Sequence, residues 1–147
     1  MKFDFLLSED VGEKWGRSKG ASSEEIETLK KCCGVDLPTD YIDFLTFSNG
    51  ASAEIPVQPY YCILNNVKEV IKFIKFADYD VFVENLPGFI YIGTNGAGEF
   101  IVLELKSSRV CCVIMPFTEE EILEIAPTFI DLLKLFGHSE DDPTPET

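Results

Sequence analysis

Residues 37–50 read LPTDYIDFLTFSNG. The stretch starts and stops as a helix does. The ring of Pro38 fixes φ at a value suited to a first helical turn, where its missing N–H leaves no bond unmade. Tyr41, Phe44 and Leu45 then recur at helical spacing, and Asn49-Gly50 ends the run. Immediately upstream, Ser22 and Glu25 have capping-box spacing. Ile26, Leu29 and Cys33 follow on one helical face, and Gly34 closes that segment. Two consecutive helices are therefore predicted, joined by Val35–Leu37.

Outward from this pair the signals alternate. A short helix is predicted near Ser8–Trp15, followed by a loop between Gly16 and Gly20. Residues 48–59 are polar and proline-bearing and read as a loop, and Tyr60–Leu64 reads as a short buried strand. Across 66–77, Val67, Val70, Ile71, Ile74 and Ala77 share a helical face that Lys68, Lys72 and Lys75 avoid. Tyr79–Val83 is read as irregular or a short strand, and Leu86–Gly88 as a turn. FIYIG at 89–93 and EFIVLEL at 99–105 flank TNGAG as a hairpin, and VCCVIMPF at 110–117 is a third strand. Thr118 and Glu121 have capping-box spacing for a short helix over 119–125. A last helix begins near Pro127, buries Phe129, Leu132, Leu133 and Phe136, and stops at Gly137. The expected class is α+β, with N-terminal helices, a central mostly antiparallel sheet holding a meander near 89–117, and a C-terminal helix. Residues 1–137 are expected to form the domain and 138–147 an acidic, disordered tail.

The chain of 147 residues carries 12 Lys and Arg against 26 Asp and Glu, a net charge of −14. The last ten residues hold four acids and no Lys or Arg, so −14 less −4 leaves −10 on residues 1–137. An acidic field spread over the body repels phosphate backbones and draws basic proteins. No nucleic-acid partner is expected. Five cysteines include two vicinal pairs, Cys32-Cys33 and Cys111-Cys112, which form no disulfide framework and suit a reducing compartment. The N-terminal MKFDFLLSEDVGEKW has no signal-peptide pattern, and apolar runs are too short to span a bilayer. A cytoplasmic location without membrane contact is expected.

No catalytic set stands out. The glycines of GTNGAGE, 93–99, lead into a strand, whereas a phosphate cradle needs a helix N-terminus there. The cysteines lack zinc-ligand spacing, and neighbours on a strand point to opposite faces. His138, the only histidine, follows the last helix beside the acidic tail. Two carboxylates could do acid–base work, but no spacing singles out a pair. Glu119, Glu120 and Glu121 read as helix-start electrostatics or as a contact for a basic partner. Tyr60, Tyr61, Phe73, Phe76 and Tyr79 read as core or as a binding face.

Two motifs in order carry a resemblance. The first is Gly34, Leu37, Pro38, Tyr41, Phe44, Leu45, Asn49 and Gly50 within 26–50; the second is Ile92, Gly93, Gly96, Gly98 and Glu99 within 89–105. Together with the closing IAPTFIDLLKLFG they resemble the SUKH superfamily, the domain of yeast regulators of cell-wall glucan synthesis, over roughly residues 20–137. The chain departs from the family pattern in having Ala51 where a further glycine is frequent, and in its sole tryptophan, Trp15. The resemblance implies no catalysis, no cofactor and no metal. It implies a protein partner, since bacterial members are mostly immunity proteins that neutralise toxins, many of them nucleases or deaminases. The expected function is thus a non-catalytic immunity protein for a cognate toxin, with a basic nuclease as one candidate. A regulator of glucan synthesis and a carboxylate-dependent hydrolase stand as alternatives. Exposed acids on loops and helix starts, Asp78, Asp80, Glu84, Glu119 and Glu120, are the expected partner contacts.

Overall fold

A computed structural model describes residues 2–76, 79–115, 117 and 119–139. Both helices of the opening stretch form: α1 spans Ser23–Cys33 and α2 spans Thr39–Phe47. At the start of α1 the Ser22 hydroxyl accepts the Glu25 N–H at 3.1 Å, and the Glu25 carboxylate accepts the Ser22 N–H at 3.0 Å. This pair satisfies two donors that the first helical turn leaves unbonded. The Ser22 N–H also holds the Glu25 carboxyl below its ordinary pKa.

Seven strands make one sheet: β1 (Trp15–Arg17), β2 (Ala51–Glu54), β3 (Tyr61–Leu64), β4 (Phe89–Thr94), β5 (Phe100–Glu104), β6 (Val110–Val113) and β7 (Leu123–Ala126). Every neighbouring pair is antiparallel, and the spatial order is the chain order. α1 and α2 connect β1 to β2. α3 (Val67–Ile74) and α4 (Tyr79–Asn85) connect β3 to β4, and α5 (Phe129–Lys134) follows β7. The fold is α+β with a C-terminal helix, and the meander expected near 89–117 extends to the whole sheet. Among the described residues no helix is long and apolar enough to cross a membrane.

Several local expectations are corrected. The N-terminal segment has a 3-10 turn at Asp4–Leu7 in place of a helix over Ser8–Trp15, because Trp15 is drawn into pairing with Ala53. That pairing also makes a strand, β2, of residues within the expected 48–59 loop. Tyr79–Asn85 is helical although Val81 and Val83 favour strands; Phe82 and Leu86, at i and i+4, are both fully buried and decide it. β6 ends at Val113, short of Phe117. The helix expected over 119–125 is a 3-10 turn at Glu119–Glu121 followed by β7, because 123–126 completes the sheet against β6. Thr118, Ala77 and the tail residues 140–147 lie outside the described residues.

The sheet has a dry cluster on each face. On one, α1, α2, α3 and α5 cover Trp15, Ala53, Cys62, Leu64, Ile90, Ile92, Ile101, Leu103 and Cys112. On the other, Phe82 of α4 and Leu86 just after it, with Phe117, cover Val102, Cys111 and Val113. The period-2 alternation of strand side chains separates Cys111 from Cys112 in this way. Burial pushes the Cys111 thiol up to about 11 and, with the nearby Glu99 carboxylate, the Cys112 thiol up to about 12.

Candidate functional site

The signature residues lie in and around the first cluster. Tyr41, Phe44 and Leu45 are buried; Leu37 packs against the same core, and Pro38 is the N-cap of α2. Asn49 is a three-way tie. Its Oδ1 accepts the Val67 N–H at 2.9 Å, at the head of α3, and its Nδ2 donates to Glu25 of the α1 capping box at 3.4 Å. Gly50, at φ 93°, passes so close to β3 that a Cβ there would lie 2.8 Å from the Leu64 carbonyl oxygen. Asn-Gly therefore stops α2 and also fixes where α1, α3 and β3 meet. In the hairpin, Ile92 is buried, Gly93 abuts β3, and Gly96 and Gly98 take the positive φ values of the turn, 81° and 95°. Glu99 accepts from Asn95 Nδ2 at 3.2 Å and lies 3.4 Å from the Cys112 thiol, tying the turn to β6.

The Tyr41 hydroxyl is buried, and no described residue hydrogen-bonds to it. Burial drives its pKa far upward. A buried hydroxyl without a partner is a cost, so Tyr41→Phe is expected to hold or raise stability, by up to about 1 kcal/mol. Urea unfolding measures this directly, and a loss would show that the hydroxyl has a partner.

The opposite sheet face holds the concave surface. A cleft of about 480 Å³ is lined by Glu69, Lys72 and Phe73 of α3, Phe76 two residues beyond its end, Tyr91 of β4, Phe100 of β5, and Met115 and Phe117 of the loop after β6. Phe73 and Tyr91 stack with ring centroids 3.9 Å apart, and Phe100 and Phe117 meet edge to face at 5.1 Å. The Tyr91 hydroxyl donates to Asn65 Oδ1, which fixes the ring. Burial, with the Glu69 carboxylate beside it, pushes Tyr91 up to about 12. The floor is thus a locked aromatic surface. The lip is open: Phe76 is 59% exposed and Met115 47%. A second, polar depression of about 340 Å³ includes Gly16, Asn49, Ser52, Asn65 and Asn66, and Glu69 stands in the wall of both.

Of the acids predicted as contacts, Asp80, Glu84 and Glu120 are on elements anchored to this face, and none of them lines the cleft. Asp80 and Glu84 are exposed on α4, and Glu120 is exposed in the 3-10 turn that also contains Glu119. Both elements are anchored in the second cluster, through Phe82 and Leu86 on one side and Phe117 and Ile122 on the other. Asp78 lies outside the described residues. Of the five aromatics weighed as a face, Phe73 and Tyr79 belong to the second cluster, Phe76 is on the cleft lip, and Tyr60 and Tyr61 lie at the distant start of β3. The sequence reading missed Tyr91, Phe100 and Met115 as cleft residues. The alternation of Tyr91 and Phe100 with core residues along β4 and β5 was a usable signal, but nothing local marks which face stays open, and Met115 lies in a loop with no such pattern. Among the described residues no group of three or more His, Cys, Asp or Glu is placed to hold a metal ion.

No curated protein matches the chain. Residues 20–135 match the profile of a family that includes both signature motifs and every element from α1 to α5, so the chain belongs to the SMI1 / KNR4 family (SUKH-1).

Proposed function

We propose that this chain is an immunity protein, a cytoplasmic non-catalytic domain that neutralises a cognate toxin by binding it. Membership of the SUKH-1 family supports a protein-interaction role of the immunity or regulatory kind. The observation that favours immunity is an open aromatic cleft on a body of net charge −14, with Asp80, Glu84 and Glu120 exposed on the elements around it. An apolar contact supplies affinity once water is expelled, and the charge speeds encounter with a basic toxin.

The test is equimolar mixing with the toxin domain encoded by the adjacent gene, followed by an assay of that domain's activity. Full inhibition, with an association rate that falls as salt rises, is the expected result. A toxin that stays active while the chain captures only cell-wall synthesis proteins would replace immunity with the regulatory role.

A further inference from the structure

We propose that the aromatic cleft seats one apolar side chain of the toxin, and that Lys72 on its α3 wall faces an acidic residue of the same toxin. The inference rests on the immunity reading and locates its contact. The cleft floor needs no rearrangement to receive a side chain: the Phe73–Tyr91 stack is backed by Phe82 at 5.5 Å from Phe73 and held by the Asn65 bond. A preformed apolar pocket keeps the ordering cost of binding small. Phe76 and Met115 stand exposed around it, and burying such groups against a partner is favourable.

Charge around the cleft is uneven, and this narrows the partner's chemistry. Lys68, Lys72 and Lys75 lie within eight residues on or just after α3, a quarter of the chain's 12 basic residues. All three are exposed, and Lys72 lines the cleft itself. Among the described residues, neither Lys72 nor Lys75 lies within 4.0 Å of a carboxylate, whereas Lys2, Lys30 and Arg109 do. The acidic 3-10 turn Glu119–Glu121 follows Phe117, another lining residue, in the chain. A basic toxin therefore meets an acidic surface broken by the three lysines on or just after α3. Glu69 shares the cleft wall one turn before Lys72, so the complementary segment places its acid at the Lys72 end, next to its apolar anchor.

Net charge and local pairing make opposite forecasts for one substitution. Lys72→Glu changes the chain from −14 to −16, since a +1 becomes a −1. Steering alone would leave binding to a basic toxin equal or tighter. The proposed pairing makes it weaker, by about 10-fold, the size expected for losing one close charge pair. Met115→Glu and Phe76→Ser, both at exposed positions that leave folding intact, are expected to weaken binding by about 30-fold each. Calorimetric titration with the adjacent gene's toxin domain, at two salt concentrations, reads all three, with melting temperatures as the folding control. Wild-type affinity in the two apolar variants, or equal or tighter binding by Lys72→Glu, overturns the cleft proposal and leaves immunity standing. A wild-type chain that does not bind the toxin removes the immunity reading and the cleft proposal together.

Discussion

Gly93→Ala is expected to cost about 3 kcal/mol or more of unfolding free energy, the upper range for overpacking a well-filled site. An added Cβ would sit 2.0 Å from the Ile63 carbonyl oxygen and 3.1 Å from the Leu64 Cα. Both obstacles are backbone, so no side-chain rotation relieves them. β3 and β4 meet there through only two register pairs, Ile63 with Thr94 and Leu64 with Gly93. Pushing them apart divides the sheet into β1–β3 and β4–β7. With a urea slope of about 1–3 kcal/mol/M, the midpoint should fall by at least about 1 M. A midpoint unchanged from wild type would mean that the two strands lie farther apart at Gly93 than described.

Phe44→Ala is the second large loss, at about 3–5 kcal/mol for a fully buried phenylalanine. Phe44 is 0% exposed and touches four rings: Phe3 at 5.6 Å, Phe129 at 5.7 Å, Phe47 at 6.1 Å and Trp15 at 6.3 Å. These come from the N-terminal turn, α5, α2 and β1, so one cavity loosens four elements. Domains of this kind hold only about 5–15 kcal/mol in total. Trp15 is the sole tryptophan and lies in the same cluster, so its fluorescence reports the transition. A loss under about 1 kcal/mol would show that the cluster collapses into the space without cost.

The contrast between these residues and the cleft shows what the sequence makes legible. Tyr41, Phe44 and Leu45 could be assigned to a core because helical spacing and a stop signal are local facts. Residues 123–126 could not be read as a strand, because the three preceding glutamates suit a helix start and the pairing that decides otherwise comes from β6. Tyr79–Asn85 is hidden in the same manner, because the burial of Phe82 and Leu86 that makes it helical depends on the distant Phe117 and Val102. Asn49 was legible as a stop, but its bonds to Glu25 and Val67 depend on helices brought together by the fold. The cleft is the extreme case: Phe73, Tyr91, Phe100 and Met115 come from four separate stretches and become neighbours only when the sheet is complete.

The two clusters on opposite sheet faces have an evolutionary consequence. Phe44 and its ring partners fill one side, while Phe76 and Met115 stand at the mouth of the other. Substitutions at well-separated sites without shared partners combine nearly additively. Under the immunity role proposed above, recognition would drift from one toxin to another by exchanging side chains around the cleft, with little change in the stability supplied by the far side. A scaffold divided in this way suits a lineage that must keep pace with a changing opponent.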